Sequence, residues 1–210
     1  LPAFIRNKKF RSDRITISQA FLDQKMPEFS QRYAQKQKTP IEIFLFVNGP
    51  LREENTKQIA AISKNSAGQK LWEGPFLRMK NAAPMASFGD GRTYLYEGKA
   101  VTRSVHLGVD LASTERAPIE AANHGNVLFT GYLGIYGNTV ILDHGLGLAS
   151  LYAHLSEISV KKGQEVKKGE PLGLSGSTGF AGGDHLHFSL LVGGKFVNPI
   201  EWWDPHWLKD

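Results

Sequence analysis

Cysteine is absent from this 210-residue chain, which removes disulfides, cysteine nucleophiles and thiolate metal ligands together. Its absence also favours an oxidising compartment, where a stray thiol is a liability. Long apolar runs are missing as well. The densest, Ile43–Val47, is strand-sized and far short of the ~18 residues that would span a bilayer. No His-Glu-x-x-His occurs, so a helix-borne metal site with a glutamate base is excluded. Gly173-Leu-Ser-Gly-Ser-Thr-Gly179 lacks the lysine and following helix of a phosphate-binding loop and reads instead as a tight β-connection. The chain begins Leu1-Pro2-Ala3, without an initiator Met or a signal-peptide core, as expected of a processed or trimmed product.

Glycine is scarce in one part and abundant in the other: 3 of 22 lie in residues 1–80 and 19 in 81–210. Charge divides at the same place. Residues 1–80 carry 15 Lys+Arg against 7 Asp+Glu, and residues 81–210 carry 10 against 13, so +8 stands beside −3. Two regions are expected: a basic α+β N-terminal segment, 1–80, and a domain over 81–210 that is mainly β, because glycine supplies the turns of a sheet of short strands. The basic surplus suits attraction to an anionic polymer, or gating of a groove. No basic-aromatic module accompanies it, so nucleic acid is not an expected partner.

Strands are expected near 101–104, 108–112, 125–130, 138–143, 149–153, 171–175, 185–191 and 196–199, punctuated by turn signals such as Lys162-Gly and Gly193-Gly. Upstream, Arg14–Ile17 reads as a short strand, Ser18 as the cap of a helix ending near Met26 before Pro27, Ile41–Val47 as a strand, and Glu53–Lys64 as a helix. So small an N-terminal segment is expected to pack on the β domain.

The chemistry-bearing residues are His106 and Asp110 in His-Leu-Gly-Val-Asp, His154 in Tyr-Ala-His-Leu, and His185 and His187 in Asp-His-Leu-His-Phe. On a strand, His185 and His187 share a face with Cα atoms ~6.6 Å apart, while Leu186 and Phe188 turn to the core. His106 and Asp110 would lie ~13 Å apart on a flat strand, too far to converge on one metal, and Val105, Gly108 and Val109 make poor helix. A bend or bulge at Gly108 resolves this, with His106 in a loop and Asp110 on a strand.

Three protein ligands leave zinc a catalytic position, whereas four close the site. If His106, Asp110 and His187 hold one zinc per chain, His154 and His185 remain as acid–base imidazoles. If His185 also ligated, the site would be structural. The other histidines take plainer roles: His144 in a hairpin or supporting position, His124 in a turn, and His206 in an aromatic tail with Trp202, Trp203 and Trp207 that reads as a packed cap.

These motifs are joined in order by Ser87-Phe-Gly, Pro118-Ile-Glu-Ala-Ala, Tyr136-Gly-Asn-Thr-Val, Asp143-His-Gly, Val166-Lys-Lys-Gly, Gly176-Ser-Thr-Gly and Asn198-Pro. Over about residues 84–200 the chain resembles the lysostaphin-like (LytM-type) peptidoglycan metallopeptidases. The resemblance implies zinc ligands at His106, Asp110 and His187, catalytic histidines at His154 and His185, and an antiparallel β fold with the site in a groove. It also implies an endopeptidase of the bacterial envelope, periplasmic or secreted, acting on peptidoglycan peptide stems. The expected cross-link is D-alanyl–diaminopimelate rather than glycyl-glycine. Two departures stand out: a longer connection between Phe88-Gly and His106, and His124 where the family often has an acid. Two other readings are a non-catalytic wall-binding or amidase-activating module, and a latent form in which Asn48 or Asn55 fills the zinc position.

Overall fold

The computed structural model describes residues 9–35 and 38–207. It opens with β1 (Ser12–Thr16) and α1 (Gln19–Arg32), then α2 (Pro40–Phe46), a π-helical turn over Val47–Leu51, and α3 (Arg52–Ser63). A 3-10 turn covers Gly134–Tyr136, and α4 is the single turn Ile200–Trp203. Strands follow as β2 (Ala83–Ala86), β3 (Gly91–Tyr96), β4 (Lys99–Val105), β5 (Val109–Ala112), β6 (Pro118–Glu120), β7 (Gly125–Tyr132), β8 (Asn138–Gly145), β9 (Leu148–Leu155), β10 (Glu157–Ile158), β11 (Glu165–Val166), β12 (Pro171–Leu174), β13 (Leu186–Val192) and β14 (Lys195–Val197). The fold is mainly β, and its sheets are antiparallel apart from the parallel β1–β3 pair.

Two of the upstream expectations are corrected. Ile41–Val47 is helical, not a strand, because Glu42 accepts hydrogen bonds from the Thr39 amide (2.8 Å) and hydroxyl (2.7 Å). Pro40 adds a pre-set φ at the first helical position. Helix α1 does start at the Ser18 cap, whose Oγ accepts from Phe21 N, but it runs through Pro27 to Arg32. Burial of the stripe Leu22, Met26 and Phe29 outweighs the one backbone hydrogen bond that an interior proline forfeits.

The main sheet has the order β11-β7-β8-β9-β13-β5-β2, with β14 also paired to β13. Its central strands are buried on both faces, and alternation sorts their side chains into two cores. Val140, Leu142, Tyr152, Phe188 and Leu190 face one core, closed by Phe76 and by Trp72, Trp202 and Trp203. Trp202 and Trp203 of the aromatic tail thus cap this core, with Trp203 stacked on Phe188, whereas Trp207 is about half exposed. Ile141, Ala149, Leu151, Ala153 and Leu191 face the other core, beneath Leu22, Phe29, Phe44 and Ile59 of α1–α3. A second sheet, β1-β3-β4, has β1 and β3 parallel, and a third runs β10-β12-β6. The N-terminal helices therefore pack on the sheet face that carries His187.

Candidate metal centre

Register brings the donors together. Asp110 of β5 and His187 of β13 are direct cross-strand partners, and His187 faces Ala153 of β9 on its other side. Directly opposed residues hold their Cβ atoms ~5 Å apart, so both side chains lean over the same spot. Leu186 and Phe188, between and beyond, point into the opposite core.

His106 lies in the break between β4 and β5. The chain turns there at Gly108, where a Cβ would meet Phe188 O at 2.5 Å and His187 Nε2 at 2.6 Å. Only glycine lets this bend lie flat against β13. His106 Nε2 then stands 2.9 Å from Asp110 Oδ1 and 3.0 Å from His187 Nδ1, and His187 Nδ1 stands 2.8 Å from Asp110 Oδ1.

His154 reaches the same place by a different device. In strict alternation along β9 it would share the face of Tyr152 and point into the far core. A bulge between Asn138 and Val140 of the β8–β9 ladder inserts an extra residue in β9, and His154 adopts φ +63°. A non-glycine residue in the left-handed region is uncommon and costs of order 1 kcal/mol. It turns the ring to within 4.8 Å of His185 and 5.8 Å of His187, centroid to centroid. His185 sits just before β13, bridged to Gly176, with Nε2 3.7 Å from Asp110 Oδ1.

The outer edges of the rings fix which nitrogens are free. His106 Nδ1 donates to Ser87 O (2.9 Å), His154 Nδ1 to Thr178 O (2.9 Å) and His185 Nδ1 to Gly183 O (2.8 Å). With Nδ1 as the donor, a neutral imidazole in each of these places presents an unprotonated Nε2 inward. His187 Nε2 meets Ser189 Oγ at 2.9 Å, turning its Nδ1 to the triad. Burial would raise the Asp110 carboxyl, but the His106 and His187 imidazoles set against its Oδ1 outweigh that and hold it well below the usual carboxylate range. Burial pushes His187 down to about 4. It also pushes His154 well below its ordinary value, assisted by His185 and His187.

Two imidazole nitrogens and a carboxylate oxygen, all within 3.0 Å of one another, thus share one buried spot. Lone pairs so placed repel unless a cation lies between them. Ligand atoms ~2.0–2.1 Å from a tetrahedral zinc stand about 3.3 Å from each other, close to the spacing seen. The donor set contains no sulfur and suits zinc held by nitrogen and oxygen. Each ring is braced by an outer hydrogen bond of the kind that orients metal ligands.

Three flanking residues escaped the sequence reading. The cavity beside the triad, about 170 Å³, is lined also by Arg52, Arg92 and Tyr136. Burial pushes the Tyr136 hydroxyl up to about 12, so it remains protonated. Tyr136 stood within a quoted motif, but nothing in its neighbours marks Arg52 or Arg92 among the other basic residues. Lys25 of α1 donates to Ser177 O at 2.7 Å, steadying the loop whose Thr178 carbonyl orients His154. The Gly173–Gly179 connection thus borders the site, as its sequence suggested.

Neither asparagine proposed for a latent form is directed to the triad. Asn48 bonds Thr102 and Arg52, and Asn55 Oδ1 accepts from Ile135 N. His124 lies at a turn, where its amide bonds the Asn123 side chain. His206 is exposed beside Asp204.

His144 is fully buried among Phe76, His124 O (2.6 Å) and Ser150 Oγ (2.7 Å). Burial pushes it down to about 4. A histidine neutral in the fold but protonated when unfolded contributes full stability above pH 6.5 and loses it as pH falls towards 4. The loss is about 3 kcal/mol at most. Denaturant titrations of the wild type and of His144→Asn across pH 7 to 4 should therefore converge as the pH falls. An acid limb equally steep in both would remove His144 as its source.

The comparisons with known proteins follow this geometry. Residues 104–199 match the family described as Peptidase family M23. It is 41% identical over 99 residues to the DD-carboxypeptidase/endopeptidase Mpg of Neisseria meningitidis, covering 47% of this chain and 23% of that protein. It is 42% identical over 103 residues to the peptidoglycan DD-endopeptidase ShyA of Vibrio cholerae, covering 48% and 24%. The matched stretch thus spans about a quarter of these curated relatives. Among solved structures, a putative peptidase M23 from Pseudomonas aeruginosa superposes with TM-score 0.56 at 30% identity, over 73% of this chain and 60% of that one. The catalytic domain of the antimicrobial peptidase lysostaphin from Staphylococcus simulans gives 0.52 at 28% identity, over 62% and 98%.

Proposed function

We propose that the protein is a zinc-dependent endopeptidase of the bacterial envelope, periplasmic or secreted, that hydrolyses peptide cross-links of peptidoglycan. D-Alanyl–diaminopimelate is the preferred bond. The observation that carries this reading is the buried convergence of His106, Asp110 and His187, with two further imidazoles turned to the same spot. The names of Mpg and ShyA support the choice of substrate.

His106, Asp110 and His187 would hold the metal. When bound there, zinc supplies Lewis acidity towards a carbonyl and brings the pKa of water towards ~7. The chain's own groups do the rest. His185 is the better-placed base: its Nε2 is free, it faces Asp110, and it is 13% exposed, so its proton can pass to solvent. His154, fixed by Thr178 O and buried, is suited to the oxyanion or the leaving amine once it carries a proton. Tyr136 adds a neutral hydroxyl on the cavity wall. Helices α1–α3 pack on the sheet as a structural partner, and the basic surplus of residues 1–80 positions the enzyme on an anionic wall or gates the cavity.

The reading is tested by incubating purified peptidoglycan with the protein after chelation and after zinc is restored. Soluble or uncrosslinked fragments should appear only with zinc. Equal release in both, or in neither, would contradict it. An amidase-activating module would show stoichiometric zinc and release nothing alone.

A further inference from the structure

Two guanidinium groups face the cavity beside the triad, and both come from outside the 104–199 stretch that matches the family. Arg92 of β3 places Nη2 3.3 Å from Asp110 Oδ2. Arg52, the first residue of α3, is held by Asn48 Oδ1, which accepts from its Nε at 3.2 Å and its Nη2 at 2.9 Å. That grip orients the planar group without neutralising it. Among the described residues no carboxylate forms an ion pair with Arg52, whose titratable neighbours are Tyr94, Tyr136 and the like-charged Arg92.

Even a half-buried cation lacking a counter-ion is costly, and arginine cannot relieve the cost by losing its proton. Among the described residues Arg92 pairs only with Asp110, and that carboxylate already faces His106 and His187. Counting Arg52 and Arg92 against Asp110, the lining carries one surplus positive charge even with every histidine neutral. The space is about 170 Å³, room for a small anionic group rather than a polymer. Guanidinium forks match carboxylates in shape and in hydrogen bonding.

We propose that Arg52 and Arg92 form a carboxylate subsite that takes the free carboxylate on the residue supplying the leaving amine. This rests on the endopeptidase reading above and sharpens it. In a D-alanyl–diaminopimelate cross-link the scissile nitrogen sits on a carbon that also bears a free carboxylate. In a glycyl-glycine bridge that position is an ordinary amide. The arginine pair therefore separates the two substrate classes by charge, using residues that the family-matched segment does not contain.

The test uses the whole zinc-loaded chain and two acyl-D-alanyl-diaminopimelate peptides, one with the carboxylate beside the scissile nitrogen free and one with it amidated. The wild type should favour the free acid by about 10–100-fold in kcat/KM. Arg52→Met and Arg92→Gln should bring the ratio near one, and Arg52→Lys should keep part of it. Calorimetric binding of diaminopimelate and its corresponding monoamide reads the same preference without turnover, and circular dichroism confirms that each variant is folded. No preference in the wild type, in cleavage and binding alike, overturns the subsite even if both peptides are cut. A preference that survives in folded Arg52→Met and Arg92→Gln also overturns it. Loss of the binding preference in these variants, with no cleavage by any form, supports the subsite and removes the endopeptidase reading instead.

Discussion

Alanine at His185 or His154 is expected to leave zinc bound and to lower turnover by roughly 10²–10⁴-fold, the usual worth of a positioned acid or base. Both rings spend Nδ1 on a backbone carbonyl and keep Nε2 for the cavity. Neither nitrogen lies within the 3.0 Å triangle of His106, Asp110 and His187. Metal analysis beside kinetics on a defined peptide separates the roles. Zinc lost from His185→Ala would make that residue a fourth ligand and the site a closed one. Wild-type turnover in either variant would end its assignment as an acid or base.

The second large effect belongs to the triad. Asp110→Ala and His187→Ala should each fall from one zinc per chain to well below it, with peptide cleavage lost together with the metal. Asp110 is the more sensitive of the two, because it is the one anion among the three donors and both imidazoles contact its Oδ1. Removing it leaves two neutral nitrogens to hold a dication. Elemental analysis after dialysis against a weak chelator gives the answer. Full zinc in both variants would mean that the metal sits elsewhere.

Much of this architecture was legible from residue order. Glycine and β-branched punctuation placed β4, β5, β7–β9 and β12–β14. The H-x-H and H-x3-D spacings could be reconciled geometrically only by a bend at Gly108, which the structure has. The misreadings have physical causes. Ile41–Val47 is a short apolar run whose periodicity cannot separate strand from helix, and the deciding signal was the Thr39–Glu42 box. At Pro27, tertiary burial of Leu22, Met26 and Phe29 overrode a local breaker. The short strands β2, β6, β10 and β11 carry too few residues for any period to show.

The site was legible as an inventory and not as a shape. Alternation alone sends His154 to the wrong face of β9, and only the bulge at φ +63° corrects it. Arg52 and Arg92 meet the triad because α3 packs over one sheet face and β3 crosses beside it. No local pattern announces a contact of that kind.

The central claim is the bond that is cut. A purified, cross-linked muropeptide dimer joined by D-alanyl–diaminopimelate, digested with the zinc-loaded protein and resolved by mass spectrometry, tests it most directly. The account predicts two monomers that together gain one water, the new carboxylate on D-alanine and the new amine on diaminopimelate. An intact dimer under conditions where the protein holds its zinc, or cleavage at any other bond, would contradict it.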